Sequence, residues 1–443
     1  LLALAAGPDP FLATAALQEM SRREWKAADW KGLPERDRIS VLLASRRAPL
    51  ARARQIAWIR AALEDGSEDV RFEALRWIAD ADLDEFSNDV AAMLQNDKLS
   101  FRMFEACLAA SNTLAGKSHL GVTDDKLLLA RATDRDAPAS IRAHALRLLP
   151  PNHRKLTMEL LDKLLAVGDE ALTLEVVRTL AARSGDKAAG KVLVRVARDD
   201  SQPAATRAEA VVGLAADPKT HGAVLWRLTT ADEPAVRDEA LRALRGAVVT
   251  DDQRTGLERV AKRSPDCADL VTAILDPGAL VAGMPPMNDT AGWQKRIDAA
   301  GGEPDLAAGR RLFFHPVLAR CASCHRHSGR GVVLGPELTT VAERDDSAWL
   351  LESILEPNRE VAPQYFPRSI QLTDGSTFTG FLLRSGGRSG KATYRDITGA
   401  EHGIEKVKIV KRDELRTSLM PPGLLSSLTP REARDLLAFL QEK

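Results

Sequence analysis

Cys321, Ala322, Ser323, Cys324 and His325 stand in a row in the last third of the chain. Two thiols three positions apart, with a histidine directly after the second, form the C-x-x-C-H pattern of covalent c-type haem attachment. On one helical turn the two thiols meet the two vinyl groups of haem as thioethers, and His325 falls beneath the iron. Two other chemistries use parts of this set. Cys321, Cys324, His325 and His327 carry the donor atoms of a zinc site, but adjacent Cys324 and His325 rarely both ligate one tetrahedral ion. A thioredoxin-like redox pair needs a βαβ setting, and this motif lies between helices. Cys107 and Cys267 stand alone in apolar helical patterns and read as small buried hydrophobes.

The flanking segments are those that would position a haem. PDLAAGRRLFF (304–314) reads as a short helix with Gly309 and Phe313 on one face. GPEL (335–338) follows the motif, and Pro336 lies eleven residues after His325. In c-type cytochromes a proline carbonyl at about that distance accepts the Nδ1–H of the histidine, which fixes its tautomer and raises its basicity. The next helix is expected from near Ser347 to just before Pro357, with Trp349, Leu350 and Ile354 walling the haem. SLMPPG supplies Met420 as the second axial ligand, on a loop stiffened by two prolines. Met284 and Met287 of the MPPM segment are rivals, as are His315, His327 and His402. A thioether ligand raises the potential of haem iron and fills its sixth position, which suits electron transfer. At the end of the chain, Thr429, Pro430 and Glu432 spell a capping box. Leu436, Leu437, Phe439 and Leu440 give that helix its apolar face. In a cytochrome c fold it crosses the first helix, with Phe439 near Gly309 and Phe313. No catalytic residue is assigned.

His325 and Met420 are 95 residues apart, and the excess lies at about 365–412. RSIQLTDGSTFTGFLL alternates around Asp374-Gly375, a hairpin signal. KATYRDITGAEHGI and KVKIVKR continue as strands. This β-rich insert reads as a flap or a docking surface.

The chain has 443 residues, 44% of them apolar, with 62 Lys+Arg against 62 Asp+Glu. That length is worth roughly three domains. The charge balance argues against a protein built mainly to hold nucleic acid or an acidic membrane surface. No stretch offers the run of uncharged apolar residues that a membrane span needs. The opening LLALAAG reads as the first helix of a fragment, since a helical pattern continues through PDPFLATAALQEM; the alternative is the stump of a signal segment.

Composition changes near residue 275. The first part is Ala/Leu/Arg-rich and repeats itself in EDVRFEALRWIA (68–79), ASIRAHALRLL (139–149), AATRAEAVVGLA (204–215) and PAVRDEALRAL (234–244). Arg71, Arg142, Arg207 and Arg237 hold one place, with weaker copies at Phe101–Arg102 and Leu174–Glu175. The steps of 30 to 40 residues predict a solenoid of stacked helix pairs resembling HEAT repeats. His119, His144, His153 and His221 are scattered and read as structural or exposed. Residues 276–303 read as a Pro/Gly-rich linker or capping segment in which GWQKRIDA makes a short helix.

FFHPVLARCASCH, GPELTTV, LLESILEPNREVAPQY, TDGSTFTG and SLMPPGLLSSLT together resemble the haem-binding c-type cytochrome domain of planctomycete and verrucomicrobial proteins. In that family the domain often follows HEAT-like repeats, and these often follow a propeller resembling membrane-bound sugar or sorbosone dehydrogenases. The expectation is therefore a mainly α protein: a HEAT-like solenoid over 1–275, a linker over 276–303, and a cytochrome c domain with a β insert over 304–443. It would hold one covalent haem c with its iron. Cys321 and Cys324 would be the anchors, His325 and Met420 the ligands, with Pro336 and Trp349 around them. The implied function is one-electron transfer to a redox partner protein or from an upstream dehydrogenase domain. The repeats would serve as a docking scaffold, and the location would be periplasmic or otherwise exported. The alternatives are a peroxidase-like haem enzyme, or a haem-based sensor or scaffold, with an open sixth site.

Overall fold

The structure, a computed structural model, describes residues 1–26, 30–116, 125–183, 185–343, 347–385, 387 and 390–442; His119 lies outside them. The chain divides into two compact units, Leu1–Leu149 and Pro150–Lys443. It is mostly helical, with a small β-sheet region in the C-terminal part.

The helices Glu68–Asp80, Ala139–Leu148, Glu170–Ala181, Ala204–Leu214 and Pro234–Ala243 share one design. At the fourth position four of them carry arginine; Arg237 reaches forward to Ser264 and Asp266, and the other three have a local task. Arg142 donates to the Ala132 carbonyl and Arg207 to the Ala197 carbonyl, each at 3.3 Å. Arg71 donates to the Asp65 and Gly66 carbonyls. In each case the guanidinium serves carbonyls at or just past the end of the preceding helix, where backbone acceptors have no helical partner. At the seventh position Ala74, Ala145, Ala210 and Ala240 are fully buried, and the small side chain lets the neighbouring helix approach. In the second unit Glu170–Ala181, Ala204–Leu214 and Pro234–Ala243 pack in series, with Lys187–Arg198 and Pro218–Leu228 behind them. A Cβ on Gly213 would stand 2.7 Å from the Ala181 backbone, so this helix contact excludes any larger residue.

The sixth position is the one the repeat motif left unexplained. It is Glu175, Glu209 and Glu239 in the three helices of the second unit, all buried. This places Thr173, not Glu175, at the arginine position, two residues out of step with the weaker copy read from the sequence. The three glutamates receive three arginines from farther along the chain. Arg330 reaches Glu175 at 2.7 Å, Arg310 reaches Glu209 at 2.5 Å and Arg311 reaches Glu239 at 2.7 Å. Glu432 of the last helix takes Arg242 and Arg245 at 3.0 and 2.9 Å.

Those arginines dock a helical core formed by Thr290–Asp298, Leu306–Phe313, Ser347–Leu355 and Pro430–Leu440. Trp293 and Ile297, from the segment read as a linker, are buried in it with Leu312, Phe313, Leu351 and Leu436. The first and last helices of the motif region cross at Gly309. A Cβ there would collide with the Asp435 carbonyl and stand 2.8 Å from Phe439 Cβ. Phe313 and Phe439 meet edge to face at 5.8 Å.

Between Ser347–Leu355 and the last helix lies an antiparallel five-stranded sheet. Its strands are β3 (Arg368–Leu372), β4 (Thr377–Arg384), β5 (Lys391–Asp396), β6 (Glu401–Glu405) and β7 (Ile409–Glu414), in the order β6-β5-β4-β3-β7. β1 (Arg326–His327) and β2 (Arg330–Gly331) form a separate two-residue ribbon. The Asp374-Gly375 turn joins β3 to β4 with Gly375 at φ +84°, a conformation that favours glycine. Ile370, Ala392 and Tyr394 form the sheet's own small core.

Candidate functional site

Cys321–Ser323 is a single 3-10 turn entered through Ala319 and Arg320, both at left-handed φ (+53° and +56°). The His325 N–H donates to the Cys321 carbonyl at 2.9 Å, so the two cysteines and the histidine share one turn. The following loop folds back on that turn. Val332 N–H donates to the Ala322 carbonyl, and the Leu334 and Gly335 N–H groups both donate to the Cys324 carbonyl at 3.0 and 2.8 Å. This return brings the Pro336 carbonyl to 2.9 Å from His325 Nδ1. A carbonyl only accepts, so Nδ1 carries the proton and Nε2 keeps the lone pair. Gly335 lies flat on the imidazole: a Cβ there would be 2.6 Å from Cε1. Burial holds the His325 pKa below its ordinary value, with the Pro336 bond and Glu337 opposing. The ring is thus a neutral, oriented ligand donor.

Burial pushes the Cys321 thiol up to about 12. A redox-active CxxC needs the opposite shift, so the turn is unlike a thioredoxin-type pair. Among the described residues no group of three or more His, Cys, Asp and Glu side chains is placed to hold a metal ion. His327, the fourth donor of a zinc reading, is buried against Phe439 at 4.4 Å and Phe313 at 5.5 Å.

Cys321, Ala322, Trp349 and Met420 all border the same apolar core, as do Met284 and Met287. The surroundings therefore suit a large apolar ring system anchored at the Cys321 turn. The Met420 loop is held by two polar residues that the sequence reading passed over. Met420 N–H donates to Ser418 Oγ at 3.1 Å, and Ser418 N–H donates to Asn358 Oδ1 at 2.8 Å. Asn358 lies just beyond the Ser347–Leu355 helix, so that helix fixes the methionine loop. Gly423, at φ +81°, turns the chain out of the double proline. The sheet also reaches the loop after the motif: Arg395 of β5 donates to the Val333 carbonyl at 2.6 Å.

The remaining histidines have other settings. His402 faces Asp396 at 2.7 Å on the outer strand β6. His315 is 1% exposed; its Nδ1 accepts the Val317 and Leu318 N–H groups at 3.1 and 2.9 Å. Burial lowers its pKa from 6.5 to about 4, Glu239 pulling the other way. Between those values the unfolded chain takes up a proton that the folded chain does not. His315 therefore costs the fold about 3 kcal/mol as pH falls from its ordinary pKa to the lowered one. Urea unfolding of the wild type and His315→Gln across that window checks this. The variant is expected to lack that part of the pH slope, and an unchanged slope would place its origin elsewhere.

The cytochrome c family model matches residues 306–374. The matched segment contains Cys321, Cys324, His325, Pro336 and Trp349, and ends before Met420. No curated protein matches the chain. The match supports a c-type cytochrome domain that binds haem and transfers electrons. The family implies covalently bound haem c with its iron, a redox partner and, typically, export. No helix of the described residues is long and apolar enough to cross a membrane.

Proposed function

We propose that residues 304–443 form a His/Met-ligated cytochrome c that carries one haem and passes single electrons between protein partners. Cys321 and Cys324 hold the haem, His325 and Met420 ligate iron, Pro336 orients His325, and Trp349 lines the ring. When bound, haem iron supplies the one-electron couple. The chain supplies the anchors, the ligand orientation and the apolar surroundings, and two protein ligands leave no open position for oxygen or peroxide chemistry. The observation that carries this reading is the turn of Cys321, Cys324 and His325, with His325 Nδ1 donating to Pro336 inside the matched segment.

The rest of the chain follows from the same reading. Residues 1–275 form a HEAT-like solenoid, supported by the recurring helix design and the serial packing of the repeat helices. Residues 276–303 connect it to the cytochrome domain, and the β insert offers a docking surface. The solenoid serves partner or domain docking, and the protein is periplasmic or otherwise exported, where c-type haem is attached. Its electrons are exchanged with a redox partner protein or come from an upstream dehydrogenase domain, the arrangement that often accompanies the planctomycete and verrucomicrobial cytochrome domain that the motifs resemble.

Spectroelectrochemistry of the chain produced with c-type haem maturation tests the proposal. One reversible one-electron couple is expected, together with rapid electron exchange with a small redox protein. A haem that exchanges no electrons with such a partner would assign it a structural or sensory role.

A further inference from the structure

The repeats do more at Glu175 than dock a domain. Arg330 is 7% exposed and Glu175 is 6% exposed. Arg330 Nε and Nη2 donate to Glu175 Oε2 at 3.0 and 2.7 Å, and Nη2 also donates to the Glu175 carbonyl and to Thr179 Oγ1, each at 3.0 Å. One guanidinium is thus held by three acceptors on a single repeat helix, in a buried setting where charge-assisted bonds are strong. Its backbone neighbour is Gly331, at φ +107°, where a Cβ would collide with the His325 carbonyl. From Gly331 the chain runs directly through Val332, Leu334 and Gly335, whose N–H groups bond the Cys321–Cys324 turn, to Pro336 on His325 Nδ1.

We propose that Glu175 and Thr179 are positioning residues for His325: by clamping Arg330 they hold the 326–336 loop shut, and so set the strength of the His325–Pro336 bond. The solenoid face then tunes the haem ligand, and the electronic part of this claim rests on the haem reading above. Arg310 and Arg311 meet Glu209 and Glu239 from a helix on the other side of the motif, so they do not share this task.

The test uses the full chain with three substitutions, Glu175→Gln, Arg330→Gln and Thr179→Val. The control is Asp269→Asn, which loosens the Arg431 ion pair on the last helix and leaves the loop alone. Amide hydrogen exchange of residues 326–338 needs no haem. It is expected to rise about tenfold or more in the three variants, and to stay unchanged in the control. The midpoint potential of the haem-loaded chain gives the second readout. A loosened Pro336 bond makes His325 less basic and favours ferrous iron, so all three variants are expected to shift upward. A purely electrostatic effect would instead raise the potential in Glu175→Gln, lower it in Arg330→Gln and leave Thr179→Val, which keeps every charge, unmoved. That pattern, or unchanged exchange, would overturn the clamp. Should Glu175→Gln not fold, Thr179→Val and Arg330→Gln carry the same comparison. A chain that takes up no haem defeats the functional reading, while the exchange measurement still decides the clamp.

Discussion

Glu432→Ala is expected to destabilise the second unit by about 3–5 kcal/mol, enough to unfold a domain of ordinary stability. The carboxylate is fully buried and does two tasks. As the third residue of the last helix it accepts the Thr429 N–H at 2.8 Å, completing the capping box. It also neutralises Arg242 and Arg245, whose side chains are 1% and 9% exposed. Alanine removes the glutamate half of the capping box and takes the shared carboxylate from two buried guanidiniums, leaving Arg242 only Glu239 and Arg245 the Ser427 carbonyl. Burial alone would raise the Glu432 pKa, but Arg245 and Arg242 outweigh it and hold the group below its ordinary value of 4.5. A depressed carboxylate stabilises the fold above its ordinary pKa, and the contribution is lost as pH falls through the lowered value. Urea unfolding at neutral and acidic pH reads both effects. A loss at neutral pH no larger than that of a surface substitution would show that the network is not what ties the last helix to the repeats.

Replacing Cys321 and Cys324 together by alanine is expected to abolish covalent haem. After production with c-type maturation and denaturing electrophoresis, wild type should keep its haem stain and the double variant should lose it entirely. Each single variant keeps one thioether and should stain less. The fold itself should survive, because both cysteines are only partly buried and Cys321 sits at the border of the apolar core rather than inside it, so a far-ultraviolet dichroism spectrum close to wild type is part of the expectation. Equal staining in the double variant would remove the motif from haem attachment.

The parts legible in the sequence are those determined within a few residues. The Asp374-Gly375 turn, the Thr429–Glu432 capping box and the bond from His325 to Pro336 all depend on short spacing and backbone geometry. The Gly309 crossing was expected from the cytochrome c fold that the haem motif implies, in which the last helix crosses the first. The ion-pair ladder was not. A glutamate at the sixth position of a polar-looking helix reads as solvated, and the arginine that buries Glu175 lies 155 residues away. The short helix of GWQKRIDA was legible, but its burial was not: the density of Pro and Gly around it marks a linker, while Trp293 and Ile297 of Thr290–Asp298 join the core. Asn358 and Ser418 carry no local signal at all; their role depends on two loops meeting 60 residues apart.

The most direct test of His/Met electron transfer is the optical spectrum of wild type and Met420→Ala, oxidised and reduced, with and without carbon monoxide. Met420 borders the same apolar core as Cys321, and so do Met284 and Met287, so the substitution also decides among them. The account predicts a low-spin wild type that shows the weak far-red methionine–iron band and ignores carbon monoxide, and a variant that loses the band and binds the gas. A wild type that binds carbon monoxide at once, with a variant indistinguishable from it, would contradict the account and place an open iron site in the protein.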